Sequence, residues 1–369
     1  MLPGDPPAPT RLRYLDALRG LAVLIMIEAH VLDAWVRLGD RTTDGYRNLS
    51  VIGGFAAPLF LSLAGVALVL SAEAASRRQG SRRTAGASIV ARGAEIFILA
   101  FLFRLQAFIL TPGSPLVTLF RVDILNIMGP GIAVAGLVWM VCPTPPAAAL
   151  ANGVGAAAVA MVTPLVRTAE WVGLLPIWLQ WYVRPAGEHT TFTLFPWVGF
   201  VFAGAALGSL IAASRASGTE RRVIAVIAVG GAALLAFGLW AAGRPSIYEH
   251  SSFWSTSPTY FAIRAGVICL SLCVASALLP LAKGVPGPFA VIERFGRHSL
   301  FVYWIHVELV YGYATWAVHH RLPIWGVAVA YLLFCSLIYG AIVVRDQVVE
   351  GWRLRRRSMV GSAGSLGVE

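Results

Sequence analysis

The chain has 369 residues, of which 57% are hydrophobic and only 13% are charged, about half the charged share of a typical soluble domain. This composition excludes a water-soluble globule, and the length suits a single bundle of membrane-spanning helices. The net charge of +11 does not indicate nucleic acid binding, because the basic residues lie mostly in short loops between apolar segments, where they orient membrane proteins.

Apolar segments of helical length recur along the whole chain and predict an all-α, polytopic membrane bundle of about ten transmembrane helices. These segments lie at 15–36, 55–75, 89–110, 118–141, 147–166, 193–213, 223–242, 260–282, 299–318 and 324–344. We therefore divide the chain into an N-terminal segment (1–14), a transmembrane domain (15–344) and a basic tail (345–369). The Trp- and Tyr-rich segment 167–192 predicts either an interfacial helix or a lid over a site.

The distribution of basic residues predicts the orientation of the bundle. Loops that share a side with both chain ends contain more than twice as many Lys and Arg residues as loops on the opposite side. Basic loops favour the cytoplasmic side, so we expect a multi-pass plasma-membrane protein with both termini in the cytoplasm. The start of the chain does not fit a signal peptide, because prolines precede its basic residues and the next span is long and polar.

The first span carries an unusual number of ionisable residues, which are costly inside a membrane and are therefore candidates for function. At about 100° per residue, Asp16, Arg19, His30 and Asp33 fall within one sector of the helix, and Glu28 points elsewhere. This polar stripe predicts that the first helix lines the bundle interior or a water-filled path. Asp16 and Arg19 also have a structural interpretation, as a helix-start acid and its ion-pair partner.

Later spans add further charged residues in the half of the membrane where the first span ends. These are Arg104, Arg121, Asp123 and Arg264. His306 lies nearer the middle, in a Tyr- and Trp-rich helix, where it can act chemically or serve as a hydrogen-bonded core histidine. A histidine near a carboxylate can act as a general base, and buried arginines can bind an anionic donor or a developing oxyanion. The same set of residues also suits a proton-coupled transporter, and both interpretations stay open at this point.

Four segments resemble heparan-α-glucosaminide N-acetyltransferase and its bacterial relatives. Residues 11–38, RLRYLDALRGLAVLIMIEAHVLDAWVRL, resemble the first-helix signature of this family. Residues 53–71, 193–208 and 295–312 resemble its second segment, its Phe-Pro-Trp helix start and its late histidine-containing segment. The residues at the pattern positions are Arg13, Leu15, Asp16, Arg19, Gly20, Pro58, Phe60, Gly65, Ser299, Leu300, Tyr303 and His306.

The resemblance implies transfer of an acetyl or other acyl group from cytoplasmic acyl-CoA to a hydroxyl or amine of a glycan or glycolipid at the outer face. The phosphates of CoA are expected at the basic loops 76–83 and 283–297, with Arg19 guiding the donor. Asp16, Arg19, Arg104, Arg121 and Arg264 are the expected donor-binding residues, the last three also as oxyanion partners. No metal is expected, because a thioester is already activated.

The resemblance also implies a histidine base. In the lysosomal enzyme of the family this histidine follows the first-helix motif, whereas residues 34–54 of this chain contain no histidine. We therefore assign the role to His30 from its position, expect Asp33 or Asp123 to orient it, and expect His306 to be a second base or a positioning group. The expected partners are the lipid bilayer, acyl-CoA and the acceptor, and a homodimer is compatible with the sequence. The alternatives are a secondary transporter or flippase for an anionic or glycolipid substrate, and a non-catalytic scaffold.

Overall fold

The computed structural model describes residues 12–187, 190, 192–279 and 287–365, and every regular element within these ranges is a helix. The α-helices are α1 (Arg13–Trp35), α2 (Asp44–Gly53), α3 (Ala56–Gln79), α4 (Arg82–Leu110), α5 (Ile124–Val141), α6 (Pro145–Thr168), α7 (Ile177–Val183), α8 (Leu194–Ser217), α9 (Glu220–Ala242), α10 (Pro258–Leu278), α11 (Pro288–Arg297), α12 (Ser299–Tyr311) and α13 (Ile324–Ser365). The predicted fold class, an all-α bundle, is confirmed.

Eight helical segments in the described ranges are long and apolar enough to cross a membrane. They are Asp44–Gln79, which joins α2 to α3, then α4, α5, α6, α8, α9, α10, and residues Ile324–Trp352 of α13. The two other predicted spans correspond to α1, which is 23 residues long but charged, and to α12, which is apolar but has only 13 residues. The bundle is therefore polytopic, as predicted.

The helix bounds differ from the prediction at three places. The predicted span 299–318 ends as an α-helix at Tyr311, and after Gly312 the chain forms a 3-10 helix. The span predicted from residue 118 begins at Ile124, because Asp123 and Asn126 form a capping box there. The last helix continues beyond 344, through Arg, Gln and Glu residues that favour helix, to Ser365.

Two glycines allow α1 and α11 to cross in backbone contact. A methyl group on Gly20 would clash with the carbonyl oxygen of Ile292, and one on Gly296 would clash with that of Asp16. Small residues of this kind permit close helix approach in membranes. Since α12 follows α11 after a single residue, this crossing sets the position of α12 along α1.

A second contact holds the other ends of α1 and α12 together. The indole Nε1 of Trp35 donates a hydrogen bond to the carbonyl oxygen of Val310 at 3.0 Å. The two helices are thus held in one register along their shared length. We call the side of the bundle where α1 begins the near side, and the side where α1 ends the far side.

The Trp-rich connection between α6 and α8 forms a 3-10 turn, Glu170–Leu174, and the short helix α7. Trp171 and Trp178 are exposed, whereas Trp181 is buried. Phe192, close to the start of α8, lines a cavity on the far side. In its described residues, the connection therefore combines exposed indoles, as an interfacial segment requires, with one residue that lines that cavity.

Candidate active site

A hydrogen-bonded pair of histidines joins α1 to α12. His30 Nδ1 lies 2.9 Å from His306 Nε2, and the two rings are nearly parallel, with an interplanar angle of 7°. His306 Nδ1 lies 2.8 Å from the carbonyl oxygen of Val302, one turn earlier in α12. A carbonyl oxygen only accepts, so this network assigns the proton of neutral His306 to Nδ1. His306 Nε2 then accepts from His30 Nδ1, which leaves Nε2 of His30 as a proton acceptor.

The two histidines differ in their access to ligands. His306 is fully buried, whereas His30 is half-buried and lines a far-side cavity with a volume of about 470 Å³. In the described part of the chain, no residue forms a hydrogen bond with Nε2 of His30. This nitrogen is therefore available to accept a proton from a molecule in the cavity, which is what a general base requires.

The two acids expected to orient His30 have other partners. Asp33 also lines the far-side cavity, and its carboxylate accepts a hydrogen bond from the Tyr311 hydroxyl at 3.0 Å. Asp123 pairs with Arg104 and closes the cap of α5. His30 instead donates its orienting hydrogen bond to His306, and the expected hydrogen bond to Asp33 or Asp123 is not found among the described residues.

Two of the three arginines expected near an oxyanion line the far-side cavity. Arg104 reaches it from α4 and Arg121 from the turn before α5, where the Arg121 side chain is 41% exposed. Arg264 is buried and is not among the residues that line this cavity. Its guanidinium lies 3.9 Å from the centre of the Tyr260 ring and 5.5 Å from that of Trp197. These cation–π contacts account for a buried arginine at that position.

A second cavity, with a volume of about 480 Å³, lies between α1, α3, α4 and α5 and extends to the near side. Its walls are mostly small and apolar, and they include three arginines, Arg19, Arg78 and Arg92. Arg19 also lies 3.4 Å from the carboxylate of buried Asp16, so the predicted pair is present. Phe60 lines this near-side cavity and the far-side cavity as well, so a single side chain borders both.

The arginines of the first basic loop expected to bind phosphate, residues 76–83, differ in what they contact. Arg78 lines the near-side cavity, whereas Arg82 donates to Glu73 at 3.0 Å and to the carbonyl oxygen of Trp139 at 2.8 Å. The Arg82 guanidinium also lies 3.9 Å from the centre of the Trp139 ring. Arg82 therefore binds neighbouring helices, and Arg78 is the residue of this loop that can contact a ligand in the cavity.

The described residues of the second basic loop, 287–297, are not among those that line this cavity. Lys283 is outside the described residues, and Arg294 binds Asp346 of α13 at 2.8 Å. Asp346 also lies 3.3 Å from His298, and burial lowers the pKa of His298. Within the described residues this loop therefore contributes to an ion-pair network between α11 and α13, rather than to the near-side cavity.

Phe60 and Glu308 both line the far-side cavity, although neither is among the site residues predicted from the sequence. Phe60 stands at a pattern position of the family resemblance, and this was its sequence signal. Glu308 is an acid inside a short apolar helix, which is a signal of the same kind that selected His30.

A family model described as "Heparan-alpha-glucosaminide N-acetyltransferase, catalytic" matches residues 11–242 of the chain. The match spans α1 to α9 and therefore includes His30, Phe60 and the residues that line the near-side cavity. His306 and Glu308 lie beyond the matched range. No curated protein matches the chain.

Proposed function

The chain belongs to the family of heparan-α-glucosaminide N-acetyltransferase catalytic domains, and on this premise we propose that it moves an acetyl group across the membrane. The donor is acetyl-CoA or another acyl-CoA in the near-side cavity, and the acceptor is a hydroxyl or amine of a sugar-containing molecule in the far-side cavity. The observation that carries this proposal is that an arginine-lined cavity and a histidine-lined cavity share one side chain, Phe60.

The near-side cavity has the chemistry that a CoA thioester requires. Arg19, Arg78 and Arg92 offer charged, planar donors of the kind that bind phosphate groups. Phe60 and Arg78 both lie on α3, and at about 1.5 Å per residue they are roughly 27 Å apart along the helix axis. A donor with its phosphates near Arg78 and Arg92 therefore extends along α3 and brings its thioester towards Phe60. Because basic loops favour the cytoplasm, we assign the near side to the cytoplasm.

The far-side cavity has the groups needed for acyl transfer. In the direct route, Nε2 of His30 takes the proton of the acceptor hydroxyl or amine as that group attacks the thioester carbonyl carbon. His30 Nδ1–H keeps donating to His306 Nε2 throughout, so the ring holds its orientation while it is charged. Arg104 and Arg121 line the same cavity and face the negative charge that develops on the carbonyl oxygen. When the C–S bond breaks, the CoA thiolate leaves and takes the proton from His30, which gives free CoA and the acetylated acceptor.

The test uses purified protein in detergent with radiolabelled acetyl-CoA and either glucosamine or methyl α-D-glucopyranoside as the acceptor. We expect acetylated sugar and free CoA thiol to form in equal amounts, in a reaction that depends on His30. Entry of labelled sugar into sealed proteoliposomes without acetylation would contradict the proposal and would favour a transporter.

A further inference from the structure

Glu308 differs from the other acidic residues of the far-side cavity in its contacts with the described residues. Asp33 binds Tyr311 and lies 3.6 Å from a nitrogen of Arg41, and Asp123 pairs with Arg104. Glu308 lines the same cavity and is half-buried, and its carboxylate has no hydrogen bond or ion pair with any described residue, although it interacts electrostatically with the Arg104 guanidinium. A carboxylate left in this state is able to bind a ligand that donates hydrogen bonds.

The position of Glu308 on α12 places it opposite the histidine pair. Tyr303, Val307 and Tyr311 recur every four residues and form the stripe of α12 that lines the cavity. His306, one residue before Val307, faces α1. Glu308, one residue after Val307, faces away from α1. Trp304, on the same face as Glu308, donates a hydrogen bond to Gln106 of α4, so this face is directed towards α4. A molecule in the cavity therefore lies between His30 on one wall and Glu308 on the other.

We propose that Glu308 selects the acceptor. Its carboxylate accepts hydrogen bonds from a hydroxyl or ammonium group of the acceptor, while the reacting atom of the same molecule lies at His30. A negatively charged group placed at Glu308 would meet like charge in a partly desolvated site, which disfavours acceptors that present a carboxylate, sulfate or phosphate there. This inference rests on the proposed function, because the ligand of the cavity must be the acceptor.

The test compares Glu308→Gln and Glu308→Ala with the wild type in the acetyl-transfer assay at saturating acetyl-CoA, with glucosamine as the acceptor. Loss of a hydrogen bond to a charged group corresponds to roughly a 10- to 100-fold change in affinity. We therefore expect the KM for glucosamine to rise at least tenfold in Glu308→Ala, with kcat and the KM for acetyl-CoA within threefold of the wild type. Glu308→Gln keeps the size of the side chain and should show a smaller rise. It should also improve the use of glucosamine 6-phosphate relative to glucosamine.

Glu28→Gln is the matched control, because Glu28 is also an acid within a membrane helix but does not line the far-side cavity. Its acceptor KM should match the wild type. An unchanged acceptor KM in Glu308→Ala, or an equal loss of donor affinity, would overturn the role of Glu308 and leave the proposed function intact. A wild-type protein that acetylates neither glucosamine nor methyl α-D-glucopyranoside would overturn the proposed function itself, and the role of Glu308 with it.

Discussion

For the histidine pair, we predict that loss of His30 lowers the rate of acetyl transfer far more than loss of His306. His30→Ala removes the proposed base, and loss of a general base typically costs on the order of 10²–10⁴ in rate. His306→Ala removes one neutral hydrogen bond from His30 Nδ1, a bond worth roughly 0.5–1.5 kcal/mol. Since about 1.4 kcal/mol corresponds to a tenfold change in rate, His306→Ala should lower kcat by about two- to tenfold.

The double variant separates orientation from direct catalysis. If His306 acts only through His30, the variant that lacks both histidines should be no slower than His30→Ala alone, because the two residues act as one unit. His306→Gln should recover part of the loss, because its amide oxygen can accept the hydrogen bond that His30 donates. The imidazole of His306 is fully buried, so His306→Ala should also lower the Tm of the protein.

The assay measures free CoA thiol and acetylated sugar with purified protein in detergent, at saturating acetyl-CoA. Acetyl-CoA affinity, measured by isothermal titration, shows whether each variant still folds and binds the donor. His250→Ala is the matched control, because this histidine lies in a loop and its side chain is 72% exposed. Near-wild-type turnover in His30→Ala would refute the reasoning. A greater loss in His306→Ala than in His30→Ala would move the base to α12.

Three further predictions concern the donor path and the orientation of the bundle. Phe60→Trp should narrow the junction between the cavities and lower kcat at least tenfold without changing acetyl-CoA affinity in titration; a proportional loss of affinity would contradict this. Arg19→Ala and Arg78→Ala should each weaken acetyl-CoA binding about tenfold, since each removes a charged hydrogen-bond donor. Arg222→Ala, at an exposed position in the first turn of α9, should bind as the wild type does. Reporter fusions test the orientation, and a reporter after Arg222 that is found outside would exclude it. Cytoplasmic signals are expected after Arg83, Arg222 and Arg357, and external signals at 40–50 and 245–255.

The sequence was sufficient to predict the polar stripe of α1, because helical periodicity depends only on local spacing. Arg19 lines the near-side cavity, and His30 and Asp33 line the far-side cavity, as a single stripe along one helix requires. Asp16 is the exception, since it is buried where α11 crosses α1. A helical repeat thus identifies the side of a helix that faces the interior, but not which neighbouring helix covers each turn.

The hydrogen-bond partner of His30 could not be predicted from local sequence patterns. His30 and His306 are 276 positions apart in the sequence, and they meet because Gly20 and Gly296 let α1 and α11 cross in contact. Arg264 shows the opposite error. It is a charged residue within an apolar span, and for that reason the sequence predicted that it binds a ligand. Its contacts with Tyr260 and Trp197 depend on the packing of separate helices, which the spacing of one helix does not record.

The charges of the two cavities explain why the proposed route moves an acetyl group and not the whole donor. Arginines line the near-side cavity, where in the proposed route they attract the phosphates of CoA, and no described acidic residue lines it. The far-side cavity holds Asp33, Asp123 and Glu308 beside Arg104 and Arg121, so its lining acids outnumber its arginines. A polyanion such as CoA that moved past Phe60 would therefore leave a cavity whose charge attracts it and enter a cavity whose charge disfavours it. The narrow, uncharged arm with its thioester meets no such penalty, so in the proposed route CoA stays on the near side while its acetyl group reaches His30.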